Sequence, residues 1–381
     1  MTRSEFDQAI DRRNTASLKW DRYGNRDVIP MWVADMDFAS PPAVQDALRR
    51  RVDHGVFGYT HAPRDLIEAV VAMLKQRYGW SVKPEWLVWL PGIVPGLNLA
   101  CHCAGEPGTG VAVPVPIYPP FLQAPSHSDR RAVHFALERA GRRWEIDTDQ
   151  FDQALSKSSL LLFCHPHNPT GRTFAREDLE QLTDRCLKHG VIICSDEIHC
   201  GLYLDRKPHV PLASIDDEVA RHTITLMAPS KTFNIPGLGL GFAVIPDRTL
   251  RQRFTAAKKG LVPYPNALAY TACTAAYRYG DPWRRDLVDY LRENARLVER
   301  TVQDGLAPLD MGHVEATCLA WIDARSLKDP ELAPCRFFEK HGVGLSDGTH
   351  FGAEGFVRLN FGCPRSRLQA ALDRLVAAVS A

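Results

Sequence analysis

A chain of 381 residues is too long for a disulfide-stapled peptide and long enough to bury a large core, which suggests about two domains. Its 46 Lys and Arg balance 45 Asp and Glu to a formal charge of +1, and no long basic block is present, so a nucleic-acid partner is not expected. No apolar stretch approaches the roughly 20 residues that span a bilayer, and the amino terminus lacks the apolar segment of a signal peptide, so neither a membrane nor secretion is expected. Ten cysteines include no C-x-x-C pair and several lie in apolar runs, which reads as buried free thiols in a reducing, cytoplasmic compartment.

From residue 87 onward, short apolar runs alternate with amphipathic stretches. Strands are expected at residues 87–90, 111–115, 132–136, 160–164, 191–195, 223–227 and 240–245. A helix is clearest at 176–189, where Leu179, Leu182, Cys186 and Leu187 share one face. Helical patterns dominate 247–304, strands return at 318–322 and 356–361, and a last helix covers 364–379. Strand–helix alternation with continuously apolar strands implies an α/β fold whose mostly parallel sheet is covered on both faces. The expected organisation is a large α/β domain over 42–280 and a smaller α+β domain built from 1–41 and 281–381, with a ligand cleft between them.

Three segments put polar groups at the end of an apolar strand, where ligands collect in open α/β sheets. The run 160–164 enters His165-Pro166-His167-Asn168-Pro169-Thr170-Gly171. The run 191–195 leads to Asp196-Glu197-Ile198-His199, and 223–227 leads to Ala228-Pro229-Ser230-Lys231-Thr232-Phe233-Asn234. A lysine and a carboxylate at neighbouring strand ends suit pyridoxal 5'-phosphate, which needs an amine for its Schiff base and a carboxylate to keep its ring nitrogen protonated. Asn168 is placed to donate to the ring hydroxyl and His199 to join the Asp196 network, whereas Glu197 reads as structural. The glycine-rich stretch 237–241 precedes a strand and so is no dinucleotide loop. His165 and His167 have no further ligands at zinc-like spacing, so no metal is expected, and Cys363 reads as a buried thiol.

Ser230-Lys231-Thr232-Phe233-Asn234, with Asn168-Pro169-Thr170-Gly171 and Ser195-Asp196-Glu197, resembles fold-type I pyridoxal-phosphate enzymes of the class I/II aminotransferase superfamily. Four further strings resemble its cystathionine β-lyase branch, the MalY/PatB-type C–S lyases. They are Met31-Trp32-Val33-Ala34-Asp35-Met36-Asp37-Phe38, Phe57-Gly58-Tyr59-Thr60, Tyr118-Pro119-Pro120-Phe121 and Phe356-Val357-Arg358-Leu359-Asn360. The resemblance implies the fold-type I architecture and a role for each matching residue. Lys231 matches the Schiff-base lysine that also shuttles the α-proton. Asp196 matches the partner of the ring nitrogen, and Asn168 the residue near the ring hydroxyl and the substrate carboxylate. Tyr118 matches the ring stacked on the cofactor, counted with Lys231 and Asp196 as catalytic, and Arg358 the clamp on the substrate α-carboxylate. Gly92, Ile93 and Val94 would bind phosphate at a helix start, with Ser230 and His199 also on the cofactor. Tyr59 matches a tyrosine reaching the neighbouring subunit's cofactor, which implies a homodimer. The substrate group beyond Cβ is expected to lie near Asp35 or Trp32.

The implied reaction is β-elimination from cystathionine or a related S-substituted L-cysteine, a small-molecule amino acid, giving a thiol (homocysteine), pyruvate and ammonia. An aminotransferase on the same scaffold is the first alternative, and a regulatory cofactor-binding protein acting through a partner the second. Gly239 stands where many aminotransferases carry a phosphate-binding arginine, which favours the lyase branch.

Overall fold

Residues 3–205, 207–327 and 332–380 are described by the computed structural model of the chain. A two-residue strand, β1 (Ile29–Pro30), comes first. The next four are β2 (Leu87–Leu90), β3 (Gly110–Val115), β4 (Arg131–Ala140) and β5 (Arg143–Ile146). Then come β6 (Ser158–Cys164), β7 (Ile192–Asp196), β8 (Thr223–Met227) and β9 (Gly241–Val244). The carboxyl-terminal part adds β10 (Asp310–Met311), β11 (Leu319–Asp323), β12 (Val343–Gly344), β13 (Ser346–Asp347) and β14 (Phe356–Asn360).

Strands β2 to β9 form one eight-stranded sheet in the order β2-β9-β8-β7-β6-β3-β4-β5. Its centre, from β8 through β7 and β6 to β3 and β4, is parallel, while β9 and β5 pair antiparallel with their neighbours. Every residue of β8 is buried, as are Leu160 to Cys164 of β6, because helices cover both faces of a parallel sheet. The helix Arg176–Lys188 buries Leu179, Leu182 and Cys186, the face that its periodicity marks out.

Most strand ends differ from the sequence reading by one or two residues, and two differences matter. β4 runs on to Ala140 and turns back through Gly141, at φ 62°, into β5, because pairing at a sheet edge persists after the continuous apolar run ends. β7 ends at Asp196, which pairs with Cys164 of β6 and Leu226 of β8, so the carboxylate sits on the last hydrogen-bonded residue.

The remaining strands form a four-stranded antiparallel sheet, β10-β11-β14-β13, and a parallel pair, β1 with β12. Helices Asp281–Gly305 and Arg365–Ser380 pack on this part, and their apolar faces share a core with Phe6, Met31, Met36 and Phe38 from the amino-terminal segment. Among the described residues, no helix is long and apolar enough to cross a membrane.

Candidate active site

Because β6, β7 and β8 are adjacent and parallel, their carboxyl ends open on one edge of the sheet. Asp196 ends β7, Asn168 and Lys231 follow the ends of β6 and β8, and the three line one cavity of about 220 Å³. Gly92, Ile93, Val94, Tyr118, His199 and Ser230 line it from the same sheet edge, and Arg358 reaches it from β14. Ten residues expected from sequence therefore meet at one place.

Burial sets the charges there. Asp196 Oδ1 accepts the Ile198 N–H at 3.0 Å, and the carboxylate makes no ion pair among the described residues. Burial pushes its carboxyl up to about 7, helped by the neighbouring Glu197 and opposed by Lys231. Desolvation pulls the Lys231 amine below its ordinary value, and its Nζ donates to the Ala34 carbonyl at 2.8 Å. Burial, with Lys231 and Arg358 nearby, drives His199 down to about 3, so the imidazole is neutral. The buried His199 Nδ1 makes no hydrogen bond among the described residues.

Arg358 is almost wholly buried, and desolvation lowers it to about 10. Its Nη1 donates to Asn168 Oδ1 at 2.9 Å and its Nη2 to the Trp32 carbonyl at 3.0 Å, while Nε is buried without a partner among the described residues. The guanidinium lies 4.6 Å from the Phe351 ring centre, a stacking contact that fixes its plane. A planar donor set with an unused N–H at the cavity wall suits a carboxylate.

At the opposite wall the helix Ile93–Cys103 begins after Gly92 with no side-chain cap. Its first N–H groups have no carbonyl within the helix, which makes this end an anion-binding position. The donor set therefore fits pyridoxal phosphate: free amides for the phosphate, a carboxylate without a cation for the ring nitrogen, and a desolvated amine for the aldehyde.

The fourth wall is a segment that periodicity alone does not flag. Val33 and Ala34 line the cavity from an irregular segment, residues 31–38, held by polar side chains from both parts of the chain. Asn234 accepts from the Met36 N–H at 2.9 Å and donates to the carbonyls of Met36 and Phe38 at 2.8 and 2.7 Å. Asn360 donates to the carbonyls of Val33 and Asp35 at 2.6 and 2.7 Å. Asn234 adopts φ 53°, in the left-handed region that asparagine tolerates better than most residues. The Ser230-to-Asn234 string thus carries both the amine and the clip that holds the opposite wall. Val33, Ala34, Cys164 and Ile198 also line the cavity and were not singled out from sequence.

Two expected site residues stand apart. Asp35 does not line the cavity; its Oδ2 pairs with Arg12, and its Oδ1 is buried without a partner among the described residues. Tyr59 is fully exposed and lies in a separate groove with Phe57, Tyr264 and Pro265.

The chain matches the family described as Aminotransferase class I and II over residues 26–375. It is 42% identical to cystathionine beta-lyase PatB of Bacillus subtilis (strain 168), over 98% of this chain and 100% of that protein. The crystal structure of OvoB superposes with a TM-score of 0.96 at 45% identity, over 99% of both chains. Cystalysin from Treponema denticola, whose crystal structure contains pyridoxal 5'-phosphate, superposes with a TM-score of 0.94 at 33% identity and 98% coverage of each chain. An apposed lysine and carboxylate at parallel strand ends, an arginine across the cleft and these full-length likenesses agree: the chain belongs to the class I and II aminotransferase family of fold-type I pyridoxal-phosphate enzymes, in its cystathionine β-lyase branch.

Proposed function

We propose that this chain is a carbon–sulfur lyase acting on cystathionine or a related S-substituted L-cysteine. With one water consumed, the substrate yields a thiol, pyruvate and ammonia; cystathionine yields homocysteine. The observation that carries this reading is the convergence of Lys231, Asp196, Asn168 and Arg358 on one cavity.

When bound, pyridoxal phosphate supplies an aldehyde that condenses with amines and a ring that accepts electrons from the substrate α-carbon. Lys231 would hold the aldehyde, Asp196 the ring nitrogen, Tyr118 a ring face, and the amides of Ile93 and Val94 the phosphate, with Gly92, Ser230 and His199 completing the seat. Arg358 would turn its guanidinium to the substrate carboxylate, with Asn168 fixing its plane, so that the Cα–H bond faces Lys231. The Lys231 amine, its basicity reduced by desolvation, then removes the α-proton. Departure of the thiolate from Cβ completes the elimination, and the proton on Lys231 is available to the leaving sulfur.

Gly239 supports elimination over transamination. It lines the cavity at φ 63°, and a Cβ there would stand 3.1 Å from the Pro91 carbonyl, so an arginine at this position would be strained. Residues 42–280, which hold the whole eight-stranded sheet, would form the cofactor-binding domain, and 1–41 with 281–381 the smaller domain that brings Arg358. The exposed apolar Val56, Phe57, Tyr59, Leu261 and Tyr264 support a homodimer in which Tyr59 reaches the partner's site. Ten buried free cysteines support a cytoplasmic setting.

The decisive experiment incubates purified protein with pyridoxal phosphate and cystathionine. Pyruvate with an equal amount of free thiol is expected. A keto acid without thiol would replace the lyase reading with transamination, and the absence of both products would overturn it. Sedimentation of the same sample at twice the chain mass would support the dimer.

A further inference from the structure

Just past the end of β7, Glu197 sits in a sealed polar cluster that the elimination does not use. Its Oε1 accepts the Ser195 hydroxyl at 2.9 Å and the Leu212 N–H at 3.0 Å, and His209 Nε2 lies 2.6 Å from its Oε2. The Glu197 and His209 side chains have no solvent exposure. The Tyr203 hydroxyl is 3.0 Å from His209 Nδ1, an arrangement satisfied when tyrosine donates to Nδ1 and Nε2–H donates to the carboxylate.

The peptide between the two carboxylates is fixed from both neighbouring strands. The His165 N–H donates to the Asp196 carbonyl at 2.9 Å, and the Glu197 N–H donates to the Leu226 carbonyl at 2.8 Å. The His165 ring, at the end of β6, packs 4.7 Å from the His209 ring, and Tyr78 of the helix Arg64–Tyr78 meets His209 edge-on at 5.2 Å. Arg77 and Arg284 act on Cys200 and Arg172 on His165, but no arginine or lysine forms an ion pair with Glu197 among the described residues. On the cavity side, Asp196 faces Lys231 and Tyr118, with Cys164 behind it.

We infer that Glu197 is a positioning residue for Asp196: its clamped carboxylate fixes the turn that aims Asp196, and its charge helps the site retain the proton shared by Asp196 and the cofactor ring nitrogen. This rests on the reading of Asp196 as the ring-nitrogen partner. A buried anion beside a proton-sharing pair raises the pH at which that pair gives up its proton. Burial lifts the Glu197 carboxyl to about 7 against the pull of His165, Leu212 and Ser195, so it acts as an anion above neutrality. The arrangement makes the Asp196–Glu197 doublet a functional pair rather than one site residue and one filler.

The test follows the ring nitrogen directly. Holoenzyme loaded with nitrogen-15-labelled pyridoxal phosphate is titrated with base while the ring-nitrogen chemical shift is read. In Glu197→Gln the midpoint for loss of the ring proton moves down by about one pH unit relative to the parent. Circular dichroism and thermal melting establish that the variant is folded. His209→Gln, which keeps the carboxylate but replaces the imidazole, moves the midpoint in the same direction by less, and it decides the matter if Glu197→Gln does not fold. An unmoved midpoint in a folded variant overturns this inference alone. A parent holoenzyme whose ring nitrogen is never protonated overturns both it and the reading of Asp196.

Discussion

Arg358 and Asn168 stand 190 residues apart in sequence, yet Nη1 of one donates to Oδ1 of the other at 2.9 Å, with both side chains buried. The bond joins β14 to the turn after β6 and fixes the plane of a guanidinium whose Nε remains unused. Lysine can supply the charge but not the fork. Arg358→Lys should therefore lower kcat/KM by about tenfold to a hundredfold, as loss of hydrogen bonds to a charged group does, mostly through KM. Steady-state kinetics on cystathionine measures it. An unchanged KM would remove Arg358 from the substrate carboxylate.

Lys231→Ala removes the amine that Ala34 now holds. Turnover should fall by at least about a thousandfold, in the upper part of the range for loss of a positioned acid–base group. The visible absorption that the parent acquires with pyridoxal phosphate should not develop. Since Lys231 spans the cavity rather than filling the core, the variant should melt as one cooperative unit, as calorimetry would show.

Asn234→Ala tests the segment 31–38. Three hydrogen bonds to Met36 and Phe38 disappear, and an alanine is left at φ 53°. The combined cost should be at least about 2 kcal/mol. Hydrogen exchange should show amide protection lost first across residues 31–38. Asn234→Gly, which removes the same bonds but accepts that backbone angle, separates the two contributions.

Acid should unfold the protein through its sealed imidazoles. Burial lowers His165, His167, His199 and His209 each to about 3 from an ordinary 6.5. For such depressed values the unfolded chain takes up protons that the native state refuses, so stability is intact above about 6.5 and is lost as pH falls toward 3. Asp196 and Glu197, both raised to about 7, act in the opposite sense: their contribution is complete below the ordinary carboxylate range and fades as pH rises to about 7. Four imidazoles outweigh two carboxyls between these limits. His167→Gln should recover about 2 kcal/mol of the loss between pH ~7 and pH ~5, read from urea midpoints.

Gly239→Ala should cost about 1–2 kcal/mol, because a left-handed angle of 63° and the Pro91 carbonyl at 3.1 Å both oppose a Cβ. Gly239→Arg should lose stability without gaining a transaminase. Urea unfolding and a keto-acid assay check the two statements.

Much of this was legible in the primary structure because strand-end chemistry is local. A continuous apolar run states a buried parallel strand, and the polar residues just past it lie on the cavity edge, so Asn168, Asp196 and Lys231 could be named before any coordinates. The β4–β5 hairpin was harder, since Leu137 to Ala140 alternate in burial and carry no unbroken apolar signal. Glu197 reads as structural in sequence because its partner His209, and the Tyr203 that holds His209, come from a loop with no periodicity.

The sequence by itself determined the parallel core of the sheet and the reactive residue types just beyond its strands, since both follow from side-chain pattern within a few positions. Only the tertiary structure decided what those groups face. Arg358 meets Asn168, Asn234 and Asn360 clip the segment 31–38 beside the cavity, and Asp35 turns to Arg12 instead of lining it. These contacts join residues between 23 and 327 positions apart, and desolvation in the cavity beside them sets the protonation of Asp196 and Lys231; neither a distant contact nor a local dielectric is written in neighbouring residues.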